Sequence, residues 1–287
     1  RFGRGGSTKV LGVKGAGDEL PAERAGKAPA RQERSSDEAE LARWERILAG
    51  RSVAELSEEE LRPLVFGGRG VPPSLRLQLW PRWFDAEDVR SIHELQAVPS
   101  EVERMIDLDV PRTRPGLLGP AKQAALRRIL RAHAAWNPTV GYCQGMNDIA
   151  AIFLLTGFEE QAALLGLCTL LQRICPGYHD FSLRGFRRDA VVIGALACRV
   201  LSPGTGRRLD GLGVGVDVIA VHHFLSLTAG LWPLEATLQL WDLLFLEGQP
   251  ALFASFLAQL DQHLPPLEDE SEGTPSPPWS LRRLFAE

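Results

Sequence analysis

The chain is short of the residues that would place it in several functional classes. Only four cysteines stand among its 287 residues, at 143, 168, 175 and 198, and no two are spaced Cys-x-x-Cys. That excludes a small fold stapled by disulfides and favours reduced thiols, the state expected in the cytoplasm. Long apolar runs are missing too: stretches such as residues 149–155 are far too short to cross a bilayer. No secretory leader opens the chain. It begins at Arg1 rather than Met, so a piece of a longer protein is expected.

Phosphate cradles are absent. No Gly-x-x-x-x-Gly-Lys-Ser/Thr occurs, and Gly211, Gly213 and Gly215 have the wrong spacing for a dinucleotide loop. Nor is there a Gly-x-Ser-x-Gly elbow. His222 and His223 are adjacent, so on a helix they point in different directions, and no metal-ligand set is expected. Cys168 and Cys175 read as core. Formal charge is -4, from 32 Lys+Arg against 36 Asp+Glu. That argues against nucleic-acid binding by phosphate neutralisation. Intrinsic catalysis is not where these residues point.

What is present is an ordinary globular composition, 45% hydrophobic and 24% charged, long enough to bury a core without staples. Residues 1–35 are poor in apolar side chains and mixed in charge, and are expected to form a disordered lead-in. Residues 266–287 are expected to be linker and tail. Between them, over 36–265, the punctuation is helical. Ser35 with Glu38 and Ser57 with Glu60 form capping boxes ahead of apolar periods, stopped at Gly50 and Gly67. Pro72-Pro73 opens a helix through Leu79 and Trp80. Gly119-Pro120 opens a long one that Asn137-Pro138 halts. Further helices are expected over 145–155, 159–174, 187–201, 216–228, 233–246 and 250–264. Val214, Val216 and Val218 alternate like a strand, but one strand has no partner here, so a loop entering a helix is the better reading. The fold class is all-α.

Two segments carry chemistry at loop edges. In 106–115, Pro111 and Pro115 bracket Arg112 in a stretch that cannot run on as a regular helix, so the guanidinium should project from a stiff loop. In 137–148, Gln144 lies between Gly141 and Gly145 at a loop-to-helix junction, where backbone approaches a partner closely. Read alone, Arg112 is an ordinary surface charge, and Gln144 a cap for the next helix beside a core Tyr142.

Together these residues resemble the TBC-domain family of Rab GTPase-activating proteins. Ile106-x-x-Asp109-x-x-Arg112-Thr113 matches the family's arginine-finger motif, and Tyr142-x-Gln144-Gly145-Met146 its glutamine-finger motif. Gly70-Val71-Pro72-Pro73-Ser74-Leu75-Arg76-x-x-x-Trp80 matches upstream. Pro233-Leu234-Glu235 through Leu240-Trp241-Asp242 to Gly248 matches downstream. The similarity implies a single V-shaped, multi-helix domain that activates a Rab-family GTPase in trans and is not itself the hydrolase. Arg112 and Gln144 are its implied catalytic side chains. Arg76, Trp80, Asp109, Tyr142, Gly145, Trp241 and Asp242 are implied to position them, with Asp109 holding the Arg112 loop through an ion pair with Arg76. GTP and Mg²⁺ belong to the GTP-bound partner, so no cofactor of its own, no metal and no nucleic acid are implied. A monomeric domain within a longer protein is expected, cytoplasmic and peripheral on endomembranes through that partner. The alternative is a catalytically silent helical Rab-binding or scaffold module.

Two positions and one loop depart from the family pattern. Gln239 stands where an Arg is usual, and Arg114 where an aromatic commonly precedes Pro. The 116–119 loop is short and apolar, which bears on partner choice.

Overall fold

The computed structural model describes residues 29–67, 70–85, 89, 91–92, 97–201, 205, 208–209, 211, 213 and 215–263. The chain divides into two compact units, Arg1–Ala39 and Glu40–Glu287. Of the first, only helical backbone from Pro29 onward is described. The second carries the core and the candidate site.

The helices are α1 (Pro29–Leu48), α2 (Glu58–Gly67), α3 (Pro73–Leu79), α4 (Ser100–Asp109), α5 (Pro120–Trp136), α6 (Met146–Thr156), α7 (Glu160–Thr169), α8 (Arg184–Val200), α9 (Val216–Leu225), α10 (Leu234–Glu247) and α11 (Gln249–His263). Tight 3₁₀ turns follow α3, at Trp80–Trp83, and α4, at Val110–Arg112, and a π turn at Leu170–Ile174 extends α7. No strand occurs among the described residues.

Local chemistry accounts for several of these boundaries. At the start of α2 the Ser57 N–H donates to the Glu60 carboxylate at 2.8 Å, and the Glu60 N–H donates to Ser57 Oγ at 3.2 Å. Both arms of that capping box are made. Pro73 and Pro120 occupy the first helical turn, where a missing N–H costs nothing. Of the alternating valines, Val216 opens α9 and Val218 lies within it, while Val214 lies outside the described residues.

Three expectations need correction. First, α1 takes in Pro29 to Ser35 of the expected lead-in, so Ser35 lies inside the helix instead of capping it. Residues 1–28 and the tail from 264 lie outside the described residues. Second, α4 has no counterpart in the sequence reading. It starts at Pro99 with no side-chain cap to announce it, and Ile106 is its buried anchor. Third, the π turn takes over the last part of the single helix expected over 159–174.

The core is aromatic and close-packed. Trp80 stacks on Phe158 at 5.9 Å between ring centroids, tilts against Phe245 at 5.0 Å and meets Phe153 edge-on. Trp241 closes on Phe153 at 5.2 Å. Gly166 on α7 makes room for this: a Cβ there would sit 2.4 Å from the Phe153 ring. Helix α5 packs on α6 and α7, α8 on α9, and α10 on α11. No described helix is long and apolar enough to cross a membrane.

Candidate functional site

Arg112 ends the 3₁₀ turn that follows α4, and Gln144 sits in the loop entering α6. Two prolines cannot donate to a helix ladder, so the chain leaves α4 at Asp109 and tightens into one short turn. This aims the Arg112 side chain outward, 62% exposed, while Asp109 stays buried beneath it. Gln144 is exposed as well. Its neighbour Gly145 has φ 105, a conformation that side chains with a Cβ rarely adopt, and a Cβ there would face the Leu225 carbonyl at 3.6 Å. The N-cap of α6 is Gly145, with no side-chain cap bond, so Gln144 does not cap the helix.

A buried ring of hydrogen bonds joins the two segments. The Asp109 carboxylate accepts from Arg112 Nη2 on one oxygen, and from the Tyr142 hydroxyl at 2.5 Å on the other. Thr113 Oγ1 donates to the Asp109 carbonyl at 2.8 Å and accepts from Asn147 Nδ2 at 2.9 Å. Asn147 Oδ1 accepts from the Gly145 N–H at 2.9 Å and lies 3.2 Å from the Tyr142 hydroxyl. Each polar group in the ring is partnered, so it fixes one arrangement of both loops. Burial and the Asp109 carboxylate push the Tyr142 phenol far above its ordinary range, keeping it a donor.

Of the residues expected to position the pair, Asp109, Tyr142 and Gly145 are in this ring. The expected ion pair between Asp109 and Arg76 is not formed. Asp109 pairs with Arg112 itself. Arg76 is fully buried and pairs with Asp242, Nε at 3.1 and 3.2 Å and Nη2 at 3.0 Å, with a further bond of 3.1 Å to Glu235. The Trp80 indole and the Val71 N–H also donate to Asp242, each at 2.9 Å. The physical reason is local: Asp109 already has a guanidinium three residues away, whereas Asp242 is wholly buried and needs a cation beside it. Arg76, Trp80 and Asp242 therefore brace α3 against α10. Trp241 connects differently, donating from Nε1 to the Leu227 carbonyl at 2.9 Å, in the segment between α9 and α10.

The sequence reading assigned no role to Asn147 or to Thr113 as a relay. Both stand inside the quoted segments, and a carboxamide two residues past Gly145 was the available signal. Among the described residues no cluster of three or more His, Cys, Asp or Glu forms a metal site. His222 is exposed and His223 buried against Ser255 Oγ at 3.1 Å, so the two rings do diverge.

Two buried histidines brace the Gln144 loop. His133 Nδ1 lies 3.2 Å from the Gly141 carbonyl, and His179 Nε2 lies 2.8 Å from the Leu225 carbonyl that faces Gly145. Each bond requires the proton on that nitrogen. Burial lowers both rings, as it does His223, from an ordinary 6.5 to about 4. The unfolded chain therefore takes up these protons first, and stability is complete at neutral pH and lost as the pH falls from about 6.5 towards 4. Each ring is expected to cost roughly 2 kcal/mol by pH 5. Urea unfolding at pH 7.5 and pH 5 tests this: His179→Gln must lose less stability between the two than wild type. An identical loss would reject the assignment.

With this geometry in place, comparison with known proteins is direct. The family model for the Rab-GTPase-TBC domain matches residues 73–267. Growth hormone-regulated TBC protein 1 of Homo sapiens is 31% identical over 234 residues, covering 77% of this chain and 68% of that protein. Growth hormone-regulated TBC protein 1-A of Danio rerio is 29% identical over 235 residues, covering 77% and 65%. The chain thus spans about two thirds of the length of these curated relatives. The crystal structure of the Chlamydomonas flagellar RabGAP TBC domain superposes with TM-score 0.62 at 26% identity, covering 82% of this chain and 83% of that one. The chain belongs to the Rab-GTPase-TBC domain family.

Proposed function

We propose that the chain accelerates GTP hydrolysis on a GTP-bound Rab-family GTPase, lending it Arg112 and Gln144 in trans. The observation that carries this reading is that the two side chains stand exposed on segments locked together by one buried hydrogen-bond ring. An ordinary surface arginine and a loop glutamine have no need of such shared support.

The chemistry matches the side chains. As the γ-phosphoryl group leaves, negative charge spreads over its oxygens and the leaving oxygen. A planar guanidinium, always charged and offering a fork of donors, stabilises that distribution more than the ground state. Asp109 takes one donor of Arg112 and leaves the others for the phosphates. The Gln144 carboxamide has one acceptor and two donors, so it orients the attacking water without acting as a base. GTP and Mg²⁺ come with the partner, and the domain, taken as residues 36–265, supplies no cofactor. It acts as a monomeric unit of a longer protein, in the cytoplasm, reaching endomembranes through the lipid-anchored partner.

A single-turnover phosphate-release assay across a Rab panel tests the reading. Wild type is expected to stimulate at least one member, and Gln144→Ala to lower that stimulation by roughly 10²-fold, the usual cost of one oriented polar group in a transition state. Binding of GTP-loaded Rab without any acceleration by wild type would support the silent module instead.

A further inference from the structure

Arg114, the residue that departs from the family pattern, occupies a corner where three segments meet. Among the described residues it is one of five non-glycine residues with positive φ, at φ 43. This bend turns its side chain back into the protein, where it is partly buried. There Nη2 donates to the Ala229 carbonyl and, at 3.2 Å, to the Trp232 carbonyl. Burial works against its charge, opposed by the nearby Asp148 carboxylate of α6. Gly230 leaves space for that carboxylate: a Cβ there would stand 3.2 Å from Asp148 Oδ2. The Arg112 turn, the first turn of α6 behind Gln144, and the segment between α9 and α10 thus converge on one guanidinium.

The accepting segment is itself held in an uncommon conformation. Leu227 and Thr228 are left-handed at φ 47 and 63, and the Trp241 indole bonds the Leu227 carbonyl. Just before them, the Leu225 carbonyl faces Gly145. Left-handed residues without glycine persist only where surrounding bonds over-determine them. Here those bonds link the backbone after Arg112 to the backbone that supports Gln144.

We infer that Arg114 is a positioning residue: by clasping the Ala229 and Trp232 carbonyls it sets the placement of Arg112 relative to Gln144. Its Nη2 is engaged by backbone carbonyls of the domain itself. The inference rests on the proposed Rab-activating reaction, and it assigns to Arg114 a support that the buried ring around Asp109 does not supply. Removing the clasp leaves that ring intact but frees the turn of 114–117, closed by the Leu117 N–H on the Arg114 carbonyl at 3.1 Å.

The experiment compares Arg114→Met with Arg114→Lys. Methionine keeps an unbranched apolar stem and removes the donors; lysine keeps a cation that can donate to both carbonyls. Arg114→Met is expected to lower kcat for stimulated hydrolysis by about 10²-fold, the usual effect of a small misplacement near the reacting groups. KM should stay within about threefold, because a positioning role acts on the transition state more than on the bound ground state. Arg114→Lys should recover part of the loss. Hydrogen exchange in Arg114→Met should rise together over 113–118 and 226–232. An unchanged kcat, a loss carried by KM, or faster exchange over 113–118 alone would each overturn the inference. A wild-type domain inactive on every Rab overturns the functional reading and the positioning role with it. An active wild type with unaltered Arg114→Met removes the positioning role only.

Discussion

Arg112→Ala is expected to lower the maximal rate of stimulated GTP hydrolysis by about 10³- to 10⁵-fold, the range an arginine finger supplies. At about 1.4 kcal/mol per decade this is roughly 4 to 7 kcal/mol of transition-state stabilisation. The effect is expected in kcat, because charge spreads onto the phosphoryl oxygens only as the bond breaks. Arg112→Lys should recover little: it keeps a point charge but loses the planar fork that holds Asp109 with one nitrogen and presents the rest. Stability should fall less than for a pair buried on both sides, since the Arg112 side chain is 62% exposed and the buried Asp109 keeps its bond to Tyr142. Single-turnover phosphate release and thermal unfolding, measured on the same preparations, decide between roles. Full activity in Arg112→Ala would end the finger assignment. A large fall in unfolding temperature would make Arg112 a structural residue.

Arg76→Met should act in the opposite way, through stability alone. Arg76 and Asp242 are both fully buried, and Arg76 supplies three of the contacts on that carboxylate. Burial pushes the Asp242 carboxyl up, and Arg76 is the chief influence opposing it. Without the guanidinium, Asp242 keeps only the Trp80 and Val71 donors, both neutral. Breaking one side of a buried pair costs about 3 to 5 kcal/mol, because a charge is left without compensation. Glu235 is the control. Its side chain is 54% exposed, so its share of the pair is screened, and Glu235→Gln is expected to cost less than about 1 kcal/mol. Urea unfolding of the two variants measures both, and equal costs would refute the picture of Asp242 as the principal partner.

These two arginines also mark how far the sequence could be read. Helix punctuation was legible because it is local: Ser57 and Glu60 reach each other within one turn, and Asn137-Pro138 ends α5 wherever the rest of the chain goes. Arg112 and Gln144 stood out through their motifs, and both side chains are exposed. Helix α4 was not legible, since Pro99 gives it no capping side chain and the prolines beyond it suggested a longer loop. A proline constrains itself and the residue before it, and the helix simply ends two residues ahead of Pro111.

The amino-acid order thus determined where several helices begin and stop, which of their faces are apolar, and which two polar side chains stand on loop edges. It could not say which acid each arginine would meet. Asp109 lies three residues from Arg112, and Asp242 lies 166 from Arg76, yet both contacts follow one rule. A carboxylate withdrawn from water takes whichever cation and N–H groups packing brings beside it, and only the folded core decides what that is. The same holds for the clasp of Arg114 on Ala229 and Trp232, where two backbone carbonyls serve as partners that no side-chain pattern announces.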